Sequence, residues 1–144
     1  MASWGEVERA APELAALARS FLDAFTHKTL ATLRRDGAPR ISGIEVEFSD
    51  GEAWIGSMAR AVKALDLRRD PRFALHSGSA DPPGWRGDAK LAGRAVEVTE
   101  PGATSHRFRL DISELVVVRL GEPADHIVIE SWHEGRGVSR LRRD

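Results

Sequence analysis

The sequence predicts an α+β domain that is mainly β: an antiparallel barrel, closed or split, of six or seven strands, with an N-terminal helical segment and one short internal helix. Three observations predict it. Apolar residues recur at helical spacing only over the first quarter of the chain and again between residues 60 and 70; elsewhere they alternate. Asp36-Gly37 and Asp50-Gly51 separate alternating runs, as hairpin turns do. Only one candidate crossover helix follows residue 60, so a parallel doubly wound sheet lacks its connections.

Ser3 can cap a first helical turn, with Glu6 three residues later as its reciprocal partner. Pro12 suits the first turn of a second helix, whose apolar stripe is Leu14, Leu17, Ala18, Phe21, Leu22 and Phe25. These helices form a segment over 1–26, and the barrel occupies 27–144. Residues 28–57 read as a three-stranded meander. Ile41, Ile44, Val46 and Phe48 change parity at Ser42-Gly43, which predicts a bulge at Gly43. Trp54, beside Ile55, is expected in the core. The short helix begins near Ala59 or Arg60 and ends at Asp70-Pro71, because a residue before proline leaves helical geometry. Strands follow over 73–77, 90–99, 108–120 and 126–132, with Ser79–Asp88 a loop and an arginine-rich edge after Gly137.

Composition excludes several functions. The chain has 144 residues, enough to bury one core without staples, and no cysteine, so disulfides, thiolate metal sites and cysteine nucleophiles are absent. A net charge of −1 gives no global field for nucleic acid or membrane. The charged N-terminus does not read as a signal peptide, and a cytoplasmic protein is expected. His27, His76, His106, His126 and His133 have no zinc spacing, so no metal site is expected. No catalytic acid or base is assigned; Asp111 reads as a local turn partner of Ser113. Arginine outnumbers lysine 18 to 3, which singles out each lysine.

The chemistry concentrates in residues 54–73, WIGSMARAVKALDLRRDPRF. A strand delivers Gly56 and Ser57 to a turn, a helix follows, and Lys63 lies one turn inside it with Arg60 on a neighbouring face. Backbone N–H groups at a helix start, a hydroxyl and a cation form a phosphate cradle; a capping serine with solvated basic residues behind it has the same spacing.

Ser57-x5-Lys63 followed by LRRDPR and a strand resembles the pyridoxamine 5'-phosphate oxidase-like split-barrel family. ATLRRDGAPRISGIEVEF resembles that family's first hairpin, and Ala92-Gly93-Arg94-Ala95-Val96 its "GRA" strand. The resemblance spans residues 24–130. It implies a flavin-type cofactor, FMN or a deazaflavin coenzyme, with its phosphate on Lys63 and Ser57 and with Arg60 and Val62 nearby. The ring would rest on Arg40, Ile41 and Ser42 of one strand and Ile55 and Gly56 of another. It also implies hydride transfer to or from a small substrate, and a homodimer with the cofactor at its interface. Where the oxidase has a serine-arginine-lysine triplet this chain has Ala61-Val62-Lys63, which argues against pyridoxamine phosphate itself as substrate. The alternatives are a non-catalytic flavin- or haem-binding barrel and a cofactor-free dimeric scaffold.

Overall fold

The computed structural model describes all residues, Met1–Asp144. Helix α1 (Trp4–Ala10) opens with the predicted reciprocal cap. The Ser3 hydroxyl accepts from the Glu6 N–H at 3.1 Å, and the Glu6 carboxylate accepts from the Ser3 N–H at 3.2 Å. Helix α2 (Pro12–Ala24) starts on its proline, whose missing N–H has no intrahelical partner to lose.

The strands are β1 (Lys28–Leu33), β2 (Pro39–Ile44), β3 (Val46–Ser49), β4 (Glu52–Ser57), β5 (Arg72–His76), β6 (Gly87–Glu97), β7 (His106–Leu120), β8 (Ile127–His133) and β9 (Gly137–Arg143), with α3 (Val62–Arg69) between β4 and β5. They pair antiparallel in the order β2-β1-β5-β6-β7-β4-β3. Only Glu45 separates β2 from β3. One bent strand therefore pairs with β1 through its first half and with β4 through its second, and this closes a six-membered barrel.

Strand β7 forks. Residues 106–109 pair with β4, whereas residues 114–120 pair with β8, which carries β9 outward. Helix α2 packs beside the fork, and Leu14, Ala15, Ala18 and Leu22 join Leu115, Val117 and Trp132 in one core of 25 buried residues. The Phe21 ring sits so close to Gly87 that a Cβ there would lie 2.6 Å from it.

Three expectations are corrected. The β1–β2 register runs unbroken from Lys28↔Ile44 to Leu33↔Pro39, so Gly43 marks no bulge. Parity is constant: Arg40, Ser42, Ile44, Val46 and Phe48 are the more buried set, and Ile41 is left 73% exposed. Exposing one isoleucine costs less than a register slip that would turn every inward side chain out. The bulge lies at Ala92/Gly93 of β6, where a Cβ on Gly93 would overlap the Asp111 carbonyl. Trp54 lies on the outer face between inward Ala53 and Ile55, and the Arg107 guanidinium stacks 3.7 Å from its ring centre. Asp111 belongs to β7 and faces Arg109 at 3.4 Å; it is not a turn residue.

Candidate functional site

The segment joining β4 to α3 is Met58–Ala61, so α3 begins at Val62, two or three residues later than its sequence suggests. Four residues separate Ser57 from the helix, and Ser57 does not cap it. The N-cap is Ala61, which has no side-chain acceptor. The first N–H groups of α3, those of Val62 and Lys63, therefore lack both an intrahelical and a capping partner. Such a terminus favours an anion.

Lys63 lies half-buried on this first turn. It lines a small closed hollow with Ile44, Leu67 and Phe108, and its Nζ donates to the Gly43 carbonyl at 2.6 Å. The ammonium is thus held at β2. The other lysines differ. Lys90 is exposed; Lys28 is buried, its Nζ donates to the Thr26 carbonyl at 3.0 Å, and burial pushes its pKa down.

Beside this corner, on the outer face of β3 and β4, runs a groove of about 360 Å³. Gly56 and Ser57 line it, with Glu45 and Glu47 on one side and His106 and Arg107 on the other. Gly43 has nothing within 4 Å of where a Cβ would stand, and at Gly56 the nearest atom would be the His106 carbonyl at 3.5 Å. Backbone alone therefore faces outward at both positions. The Ser57 hydroxyl is buried and has no hydrogen-bond partner, and the same holds for the Ser42 hydroxyl and the Trp54 indole N–H. A buried polar atom left unpaired carries a desolvation cost that a ligand or water can remove.

The turn before α3 is fixed from β7. Arg60 takes the left-handed conformation, φ 63°, which a non-glycine residue adopts at a cost. Its backbone N–H donates to His106 Nε2 at 3.1 Å, so the ring proton sits on Nδ1 and points to Glu97 at 3.0 Å. The Arg68 guanidinium grips Glu97 with two bonds, of 2.6 and 2.9 Å. Arg68, aided by His106, holds the Glu97 carboxyl down to about 2 against the opposing effect of burial.

Arg40 turns to Asp66 of α3. Its Nε donates to Asp66 Oδ2 at 2.8 Å, and Arg69 donates to Asp66 Oδ1 at 2.8 Å. The Thr32 hydroxyl adds a third bond at 2.8 Å. Burial would raise the Asp66 carboxyl, but these bonds outweigh it and hold it below the ordinary carboxylate range.

The structure thus brings Ile55, Gly56, Ser57 and Lys63 to one corner, with Val62 on the adjoining helix face and Ile41 on the outer surface of β2. Arg40 is engaged by Asp66, and Ser42, its hydroxyl buried and unpaired, precedes the Gly43 that accepts from Lys63. Arg60 contributes a backbone N–H to the frame of the turn. Sequence reading missed His106, Glu97 and Asp66. The Asp66–Arg69 spacing was visible, but nothing in the sequence joins Asp66 to Arg40, or His106 to Arg60.

No family model matches the chain, and no curated protein matches it. Solved structures do. PhzG from Burkholderia lata, solved with tetrahydrophenazine-1-carboxylic acid, aligns with a TM-score of 0.68 at 10% identity, over 95% of this chain and 91% of that one. ChuZ from Campylobacter jejuni aligns at 0.72 and 11% identity, over 90% of this chain and 63% of its own. The fold is a split β-barrel. A heme-binding protein from Mycobacterium smegmatis shares it at 0.59 and 14% identity, over 88% and 86% of the two chains. Proteins described as general stress protein 26, one of them assigned to the pyridoxinephosphate oxidase family, are also similar. At these identities the likeness extends to the fold and no further. No helix of the chain is long and apolar enough to cross a membrane.

Proposed function

We propose that this chain is an oxidoreductase that holds a phosphate-bearing flavin, FMN or a deazaflavin coenzyme, and works as a homodimer. The observation that carries the reading is Lys63: its ammonium is fixed 2.6 Å from the Gly43 carbonyl at the uncapped start of α3, beside a groove of about 360 Å³. The residues present fit the group. Lys63 and the first N–H groups of α3 offer a cation and donors to a phosphate. Gly43 and Gly56 leave room for a flat ring to approach the backbone. The Ser57 hydroxyl is a donor in search of an acceptor. Similar folds include a protein assigned to the pyridoxinephosphate oxidase family and one that holds a carboxylated phenazine.

When bound, the flavin supplies hydride transfer to or from a small substrate. The chain's own residues bind and orient. Lys63 neutralises the phosphate, the Arg60–His106 bond sets the turn above it, and Arg68 keeps Glu97 ionised to hold His106. His106 has both ring nitrogens engaged and is the only histidine lining the groove, so it is not free to ligate a haem iron there. That observation favours the flavin over the haem reading.

A second copy is proposed to cover the outer face of β1, β2 and β5. Ile41 stands exposed there beside a hollow of about 230 Å³ lined by Ala31, Ala74, Ala92 and Lys90. Light scattering should give twice the chain mass, and Ile41→Glu should give monomer; a monomeric parent protein refutes this part.

The main test is titration of FMN, and separately of an oxidised deazaflavin, into ligand-free protein, followed by the fluorescence of the ring. Lys63→Ala should weaken binding by about 1.5–3 kcal/mol, the range for losing a charge-assisted bond. Equal affinity in parent and variant overturns the assignment.

A further inference from the structure

One histidine ring holds the turn that sets the start of α3. His106 is 7% exposed, and both its ring nitrogens are engaged: Nε2 accepts the Arg60 N–H at 3.1 Å, and Nδ1 faces Glu97 Oε1 at 3.0 Å. A ring with these partners is neutral and keeps its one proton on Nδ1. In the imidazolium both nitrogens donate, so a proton on Nε2 would point at the Arg60 N–H, donor against donor. The two partners pull in opposite directions. Glu97 favours a cation, and the Arg60 N–H is incompatible with one while the turn keeps its shape.

Further charges stand around the ring. Arg68 of α3 grips both Glu97 oxygens, at 2.6 and 2.9 Å, and so shares Oε1 with His106. Glu45 and Glu47 of β3 line the groove that His106 also lines. On β7 itself the Arg107 guanidinium lies 3.7 Å over the Trp54 ring and reaches Glu100 only at 4.0 Å. β4 brings Ser57, the uncharged register partner of His106. Among these carboxylates and guanidiniums, what bars a second ring proton is the Arg60 N–H bond. The same bond ties the turn to β7. Arg60 takes φ 63°, at a cost for a non-glycine residue, and the one further bond inside Met58–Ala61 runs from the Ala61 N–H to the Met58 carbonyl at 3.1 Å. Freed from Nε2, Arg60 relaxes to an ordinary φ, and the N–H groups of Val62 and Lys63 that follow it lose their fixed direction.

We propose that His106 is a proton-operated latch: the neutral ring holds the Met58–Ala61 turn in the shape that presents the start of α3 to an anion, and protonation at Nε2 releases the turn and the ligand with it. His106 is a positioning residue, since it acts through the Arg60 backbone. The inference rests on the flavin reading only for the identity of the ligand; the coupling of ring to turn stands without it. Histidine is the side chain that changes charge between about pH 5 and 8. Release therefore belongs to mild acid, whereas Glu97, held down to about 2, stays ionised and keeps the ring in place on its Nδ1 side. Proton and phosphate then compete for one turn, and a fall in pH unloads the protein without unfolding it.

The test uses the full chain, labelled with ¹⁵N and free of ligand, titrated from about pH 8 to about pH 5. The His106 ring nitrogens and the Arg60 amide should move together, with one midpoint. In His106→Gln the side-chain oxygen can still accept the Arg60 N–H but takes no proton, so the Arg60 amide should stay still. FMN affinity of the parent should fall by about tenfold or more between about pH 7.5 and about pH 5.5. The phosphate of FMN itself takes a proton near about pH 6, so His106→Gln should lose only the smaller part due to the ligand, about threefold or less. An Arg60 amide that ignores the ring, a ring that stays neutral throughout, or equal acid losses of FMN in parent and variant each overturn the inference. Should His106→Gln not fold, Glu97→Gln answers in its place: without the anion that favours the cation, the shared midpoint should drop by about half a pH unit or more, and an unmoved midpoint overturns the latch. If ring and amide titrate together while FMN binds at no pH, the flavin reading falls and the latch remains.

Discussion

The two halves of β7 do opposite work. Its C-terminal half pairs with β8, and Leu115 and Val117 are sealed beneath α2. Its N-terminal half pairs with β4 and carries His106, Arg107 and Arg109, two of which line the groove while His106 also latches the turn before α3. The C-terminal end turns Leu115 and Val117 to the core and closes its ion pairs, Arg119–Glu130 at 2.6 Å and Glu114–His133 at 2.8 Å, against β8; the N-terminal end is open at its outer face. The contrast teaches that stability and the candidate chemistry are segregated along a single strand, so substitutions at the two ends should have separable effects.

The largest effect belongs to the sealed end. Leu115 is fully buried, opposite Leu91 and Trp132 in the sheet register. Leu115→Ala removes three carbons from a site walled by α2, and it should destabilise the fold by about 2–5 kcal/mol. Urea unfolding should show this as a lower midpoint at unchanged m-value. FMN affinity of the folded fraction should stay within twofold of the parent. An affinity loss that tracks the stability loss would break the proposed segregation.

The same segregation explains what was legible in the sequence. Local chemistry read well. Ser3 and Glu6 announce their cap, Asp70-Pro71 ends α3, and Asp50-Gly51 makes a tight hairpin in which both residues take positive φ, 53° and 74°. Facing across the barrel read poorly. Ile41 looks like a core residue by type, yet constant parity puts it outside. Trp54 looks like core as well, yet Arg107 from the neighbouring strand gives it a partner on the outer face. At the site, Lys63 and Gly56 were visible because a strand, a turn and a helix start are local features. The Asp66 bonds to Thr32 and Arg40, 34 and 26 residues away, depend on the closed barrel.

A smaller effect belongs to the open end and should appear in acid. The Glu97 carboxyl sits at about 2 in the fold against 4.5 as its ordinary value. A depressed carboxylate contributes stability that is fully present above the unfolded value and is lost as pH falls through the folded one. The Arg68–Glu97–His106 chain should therefore weaken between about pH 4.5 and pH 2. Glu97→Gln should flatten the fall in stability over that window while leaving neutral-pH flavin affinity lower, because His106 then loses its anionic partner and the turn at Arg60 loosens. An acid profile identical to that of the parent would show that Glu97 does not couple to folding.

The smallest effect sharpens the comparison most, because its two readouts have opposite signs. The Ser57 hydroxyl is buried at the open end without a partner. In the ligand-free protein Ser57→Ala removes a desolvated group and breaks no bond, so stability should be unchanged or higher by up to about 1 kcal/mol. In the complex the same change deletes a donor to the phosphate and should weaken FMN by about 0.5–1.5 kcal/mol. A serine that only packs would lose stability on truncation and leave binding untouched. Thermal unfolding with and without FMN, on one pair of proteins, separates the two outcomes: the variant should equal or exceed the parent without ligand and gain less on saturation. A fall in ligand-free Tm of Ser57→Ala would mean that the hydroxyl serves the fold, and the open end would then have one fewer group reserved for a ligand.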